Sequence, residues 1–209
     1  NLLLAFVGAF AYRLSGVSFL DTGFSGALNV ERLSGTWRWS AGSSLTDNRF
    51  TLNDAGRLRR NNTFSFTGRI SHEINAGKPF GLFNRGSFRV FGGNSFAYVE
   101  RLSQGLGLFF SANLTTRGYQ NIRVNASTDY LFGGYDLYET RGLGPRAQPR
   151  EARLSLGFET DERRTWTLEP DVEVKFYGDG GREAEFGLEA NAHLGTRVEV
   201  GAEVALGRE

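Results

Sequence analysis

Between Trp166 and Leu206 apolar and charged residues alternate with a period of two almost without a break, which constrains the fold more than any other feature. Successive side chains on a strand point to opposite faces, so this period marks a strand with one apolar and one polar face. The positions Trp166, Leu168, Pro170, Val172, Val174 and Phe176 oppose Glu169, Asp171, Glu173, Lys175 and Tyr177. After Gly178-Asp179-Gly180-Gly181, the run Ala184, Phe186, Leu188, Ala190, Ala192 and Leu194 opposes Glu183, Glu185, Glu189, Asn191 and His193. Beyond Gly195-Thr196, Val198, Val200, Ala202, Val204 and Leu206 oppose Arg197, Glu199 and Glu203. Short Gly, Asp and Thr links between alternating runs are hairpin signals.

Similar runs are expected at 151–160, 120–133, 105–117, 85–98, 62–75, 34–46 and 24–32, with a first strand within 4–20. That makes roughly eleven strands. The apolar phase is clear at Phe64, Phe66, Ile70 and Ile74 against Thr63, Ser65, Thr67, Arg69 and Glu73. It is equally clear at Ile122, Val124, Ala126 and Tyr130 against Arg123, Asn125, Ser127 and Asp129. Most of these runs span about ten to thirteen residues, whereas soluble strands average about five or six and a tilted membrane strand needs about 9–11. The expected fold is therefore all-β: an antiparallel up-and-down transmembrane β-barrel of about 10–12 strands, or a segment of a larger one, over residues 1–209.

Connections alternate between short and long in the C-terminal half, with long loops expected at 47–61 and 134–150. Short periplasmic turns and longer external loops follow that rule in outer-membrane barrels. The link near 76–84 is long where a short one is due, which reads as a plug or a bulge. Trp37, Trp39, Tyr98, Tyr130, Phe132, Tyr135, Tyr138, Trp166 and Tyr177 fall near strand ends, where interfacial aromatic girdles sit, although aromatics favour strands in any case.

No stretch approaches the roughly 20 apolar residues of a transmembrane helix. With no Cys in the chain, disulfides, thiol catalysis and thiolate metal sites are excluded. The absence of Met leads us to expect further sequence upstream, and Leu2 to Ala11 reads as a first strand or as a secretory h-region. Outer-membrane barrels commonly finish on an aromatic residue, and the end Leu206-Gly207-Arg208-Glu209 departs from that habit.

Charge is segregated along the chain. Residues 1–150 carry 17 basic and 9 acidic side chains, a difference of +8, and residues 151–209 carry 7 and 14, a difference of −7, which sum to the net +1. The polar phase of the early strands presents Arg38, Arg69, Arg89, Arg117 and Arg123. That of the late strands presents Glu169, Asp171, Glu173, Glu183, Glu185, Glu189, Glu199 and Glu203. These residues are the expected pore lining, a basic arc and an acidic arc selecting ions by position, or else simply a solvated face. In both readings the charged face must meet water, because unpaired carboxylates are too costly in hydrocarbon.

No catalytic constellation is present: there is no Gly-x-Ser-x-Gly elbow, no phosphate-binding loop and no His-Glu-x-x-His helix. His72 and His193 lie in opposite phases of separate strands, which argues against a shared metal site. An enzyme, a cofactor and a metal are therefore not expected. Arg57, Arg59 and Arg60 suit anionic sugar or phosphate groups in a loop better than a nucleic-acid surface, and no nucleic acid is expected as a partner.

Two stretches carry a family resemblance. Trp37-Arg38-Trp39, followed by Asp54-Ala55-Gly56-Arg57-Leu58-Arg59-Arg60-Asn61-Asn62, resembles a Trp-rich strand leading to an Asn-Asp-Leu-Gly-Phe-Leu-Arg-Arg-Asn type loop. Glu139-Thr140-Arg141-Gly142-Leu143-Gly144-Pro145 is similar to a Thr-Arg-Gly-Gly-Pro loop. Both belong to large bacterial outer-membrane proteins with an N-terminal module similar to carbohydrate-binding family 9, and order and spacing agree over roughly 35–209. Ala55, Arg57 and Leu143 depart from the pattern. The resemblance implies a C-terminal barrel portion in the outer membrane and says little about activity.

The expected function is a porin-like outer-membrane channel with a charge-divided polar lumen, its partners being outer-membrane lipid, other envelope proteins and polar or sugar-like solutes. Two alternatives stay open: a non-transporting barrel that anchors a larger assembly, and a soluble barrel binding a small ligand in an apolar lumen.

Overall fold

The computed structural model describes residues 2–11, 23–48, 62–136, 144–194 and 198–208, the side chains of 2–11, 23, 193, 194, 198 and 199 excepted. The chain is all-β in these parts. Its strands are β1 (Leu2–Ala11), β2 (Gly23–Arg32), β3 (Trp37–Thr46), β4 (Thr63–Ile74), β5 (Phe83–Ala97), β6 (Leu102–Thr116), β7 (Asn121–Asp129), β8 (Gly134–Asp136), β9 (Arg146–Gln148), β10 (Glu151–Glu159), β11 (Trp166–Tyr177), β12 (Arg182–Leu194) and β13 (Val198–Arg208). Hydrogen-bonded neighbours follow chain order, β1-β2-β3-β4-β5-β6-β7-β10-β11-β12-β13, in one 11-stranded sheet, and β8 and β9 pair separately. The loop expected at 47–61 lies almost wholly outside the described residues, as do Arg57, Arg59, Arg60 and most of Glu139 to Pro145.

The chain divides into two compact units. The first comprises Asn1–Ile70, Phe91–Gly107 and Tyr130–Pro149. Within it β2 pairs antiparallel with both β1 and β3. Ser44 and Ser65 hydroxyls lie 2.6 Å apart, and Phe66 stacks on Phe96 at 6.1 Å between centroids. At the end of β3 the Tyr98 hydroxyl donates to Asp47 Oδ1 at 2.7 Å and accepts from the Asn48 amide at 2.8 Å, so the long β3–β4 connection is tied at its start. Asn62 ties its end, donating to Glu100 and accepting from the Val99 amide.

The second unit comprises Ser71–Val90, Leu108–Asp129 and Arg150–Glu209. Its registers explain why the alternating sequence matters. In an antiparallel ladder, residues directly opposite one another project from the same face. Leu154 faces Val174, Val174 faces Ala184, and Ala184 faces Arg208, while Ser155 faces Glu173 and Glu173 faces Glu185. Strand after strand, the apolar phase therefore falls on one face and the polar phase on the other.

Little apolar mass is hidden. The buried hydrophobic residues are Ile74, Ala97, Ala112 and Leu114, and among the described residues no large side chain is fully buried. Ile74, Ala112 and Leu114 pack with Phe83, Phe88, Phe110, Ile122 and Val124. The link expected near 76–84 as a plug or bulge runs from 75 to 82 and is folded on itself by bridges Asn75↔Lys78 and Phe80↔Phe83. Its Phe80 ring meets Phe88 at 6.1 Å and His72 at 6.5 Å.

Candidate functional site

The candidate site is the polar face of the second unit, built on β6, β7, β10, β11, β12 and β13. Its acidic residues come in rows fixed by register: Glu169 faces Glu189, which faces Glu203, and Glu173 faces Glu185. Like charges directly opposite are unfavourable, and the face interleaves cations and amides among them. Arg123 Nη2 donates to Glu169 Oε2 at 3.2 Å. Arg153 donates to Glu173, and Lys175 Nζ stands 3.6 Å from Glu173 Oε1 and 3.3 Å from Glu183 Oε2. Asn191 Nδ2 donates to Glu189 Oε1 at 2.8 Å.

One of these bridges passes over a strand that carries no side chain at that point. Gly157 on β10 sits directly between Arg123 on β7 and Asp171 on β11. A Cβ there would lie 3.4 Å from Arg123 Nε, so the guanidinium stem passes over bare backbone to reach a strand two places away. Gly187 on β12 similarly underlies the Asp171 carboxylate. A cleft of about 400 Å³ opens here, lined by Arg123, Asn125, Ser155, Glu169, Asp171 and Glu203. A face with fixed charges of both signs can order water and polar solutes, and its cations offset part of the repulsion along the acidic rows.

A second cluster joins two hairpin turns. Arg163, in the β10–β11 turn, donates from Nε to Asp161 Oδ1 at 2.8 Å and from Nη2 to Asp161 Oδ2 at 2.7 Å. Its guanidinium carbon lies 3.3 Å above the ring centroid of Tyr119 in the β6–β7 turn. Arg163's side-chain hydrogen bonds, helped by its backbone amide and charge, hold the Asp161 carboxyl down at about 2. The same pair raises the Arg163 guanidinium further above its usual range. Close by, Asn121 Nδ2 donates to Glu159 Oε2 at 3.2 Å.

The sequence-based lining residues fare differently. Arg123, Glu169, Asp171, Glu173, Glu183, Glu185, Glu189 and Glu203 share this face by register. Glu199 pairs with His193 in the backbone ladder, and both side chains lie outside the described residues. Arg38 and Arg69 belong to the first unit, in phase with Ser44 and Ser65, and are exposed. Arg89 is half-buried on β5, its Nε without a hydrogen-bond partner among the described residues. Arg117 stands in the turn after β6 rather than on a strand. Among the described residues none of Arg38, Arg69, Arg89 and Arg117 forms an ion pair, and only Arg123 of the basic set joins the acidic rows. The counter-ions Arg153 and Lys175 lie in the polar phase of β10 and β11, within a segment whose net charge is acidic. A glycine in the polar phase of an otherwise charged strand, as at Gly157, was the signal for the reach across it.

No curated relative and no solved structure matches the chain. A family profile matches residues 8–208. The chain belongs to that family, described as a domain of unknown function, DUF5916.

Proposed function

We propose that the chain forms wall of an outer-membrane β-barrel, with its apolar face on lipid and its charged face lining a water-filled path for polar solutes. The observation that carries this reading is the separation of the two faces. Twelve large apolar residues of β10–β13, from Leu154 to Leu206, are exposed, and every one lies in the apolar phase. Burying such a side chain is worth about 1.5–3 kcal/mol, so leaving twelve half-exposed to water forgoes on the order of 10 kcal/mol, as much as a domain's whole net stability. Lipid removes that cost.

Dimensions support the same reading. The apolar positions from Trp166 to Phe176 extend about 33 Å at about 3.3 Å per residue, and a tilt of about 40° reduces this to about 25 Å, the height of a transmembrane apolar band. Aromatic residues stand at both of its ends. A soluble ligand-binding barrel would instead enclose its apolar phase. The resemblance to large bacterial outer-membrane proteins favours the envelope as location, and absence of a catalytic constellation favours passage or anchoring over catalysis.

The test is to refold the chain in detergent, look for heat-modifiable gel mobility and measure conductance in planar bilayers. Insertion with conductance, and a shifted ion preference on converting Glu173 and Glu185 to Lys, supports a channel. Insertion without conductance supports the anchoring alternative. Water-soluble material with no mobility shift contradicts both.

A further inference from the structure

The two faces of the second unit treat their arginines differently. On the polar face Arg123 and Arg153 are each paired with a carboxylate. In phase with the apolar residues, Arg182 at the start of β12, Arg208 at the end of β13 and Arg150 just before β10 are exposed, and among the described residues they form no ion pair. Register places all three at one end of the sheet. Arg182 is directly opposite Phe176, Arg208 is opposite Ala184 one step inward, and the Arg150 carbonyl accepts from the Gly178 amide one step outward. The three therefore fringe one end of the apolar band, Arg150 just before β10, Arg182 on β12 and Arg208 on β13, with the exposed Phe176 of β11 between the first two and Leu206 beside the last.

An arginine in such a place has a specific use. Its stem lies along apolar surface while the fork-shaped guanidinium stays at the polar boundary, where it matches phosphate oxygens two at a time. We infer that Arg150, Arg182 and Arg208 form a rim that grips the phosphate of anionic lipids in the surrounding leaflet. The occupant is a lipid because the three donors border an apolar band whose neighbour in a membrane is acyl chains, and an anionic one because among the described residues no carboxylate pairs with them. This inference rests on the membrane reading given under the proposed function.

Refolding the full chain into phosphatidylcholine vesicles with and without phosphatidylglycerol, then releasing it gently and weighing the retained lipid by native mass spectrometry, tests it. Each arginine near an anionic surface contributes about fivefold to binding, so the chain should retain phosphatidylglycerol over phosphatidylcholine on the order of tenfold or more. The triple variant Arg150→Gln, Arg182→Gln, Arg208→Gln should lose that preference, whereas Lys78→Gln, remote from the rim, should keep it. Should the triple variant fail to insert, Arg182→Gln and Arg208→Gln singly carry the same comparison. Equal retention by variant and parent overturns the rim while leaving insertion intact. Displacement of the lipid by added inorganic phosphate overturns the lipid assignment in favour of a free anion. Failure to insert into either vesicle overturns the membrane reading and the rim together.

Discussion

Arg123 on β7 donates to Glu169 on β11 at 3.2 Å although strand β10 runs between them, the guanidinium stem passing over Gly157. The pair is substantially exposed, 48% for Arg123 and 27% for Glu169, so its direct worth is modest, about 0.2–1 kcal/mol. Its larger effect is geometric: one guanidinium spans three strands and seats a cation beside the acidic row.

A double-mutant cycle on Arg123→Gln and Glu169→Gln should give a coupling in that range of about 0.2–1 kcal/mol from urea unfolding. The contact distances at Gly157 leave room for a methyl group. Gly157→Ala should therefore leave the coupling in place, and Gly157→Leu should abolish it. Coupling that survives the leucine would mean the pair takes another path.

The turn cluster sets a pH dependence. Asp161 titrates at about 2 in the folded chain, held down chiefly by the Arg163 hydrogen bonds, and near 4 when unfolded. Between those values the unfolded chain binds more protons, so this stabilisation is complete above about pH 4 and lost as pH falls through about 2. Unfolding midpoints measured from pH 5 to pH 2 should fall more steeply for the parent than for Asp161→Asn. Parallel profiles would remove Asp161 from the account.

Gly105 on β6 has φ +113, and a Cβ there would approach the Tyr130 ring to 2.3 Å. Gly105→Ala should cost about 1–3 kcal/mol through backbone strain, with the ring collision in addition. Adding Tyr130→Ala should relieve only the collision. Equilibrium unfolding of the two variants separates the parts, and full rescue by the second change would place the whole cost in the ring.

Adjacent residues on β10 should respond oppositely to one substitution. Leu156→Arg puts a charge on the apolar face near mid-strand and should destabilise the chain in phospholipid vesicles by about 2–4 kcal/mol. Ser155→Arg faces Glu173 on the polar side and should be close to neutral. Equal losses at both positions would contradict the division of faces.

Period-two alternation placed β11, β12 and β13 within a residue or two of the strands Trp166–Tyr177, Arg182–Leu194 and Val198–Arg208, since a half-exposed ladder writes its face directly into sequence. The run expected at 120–133 overshot because Tyr130 has φ 56, a left-handed turn that composition does not announce. The hairpin of β8 and β9 is three residues to a strand, too short for any period to emerge. The acidic rows were legible as residues, and the pairing of Glu169, Glu173 and Glu183 with cations was not. Segregation of charge along the chain suggested separate arcs, whereas register sets Arg153 and Lys175 among the carboxylates. Contacts that depend on register, like Arg163 over Tyr119, join turns distant in sequence and leave no local signature.

The division of faces is open to direct measurement because the chain has no cysteine of its own. Single cysteines placed from Leu168 to Lys175, spin-labelled after insertion into vesicles, report access to oxygen in the lipid and to a nickel chelate in water. Alternation with period two is expected: oxygen access at Leu168, Val172 and Val174, and nickel access at Glu169, Asp171 and Glu173. Nickel access at both sets, with no alternation, would contradict a lipid-facing wall.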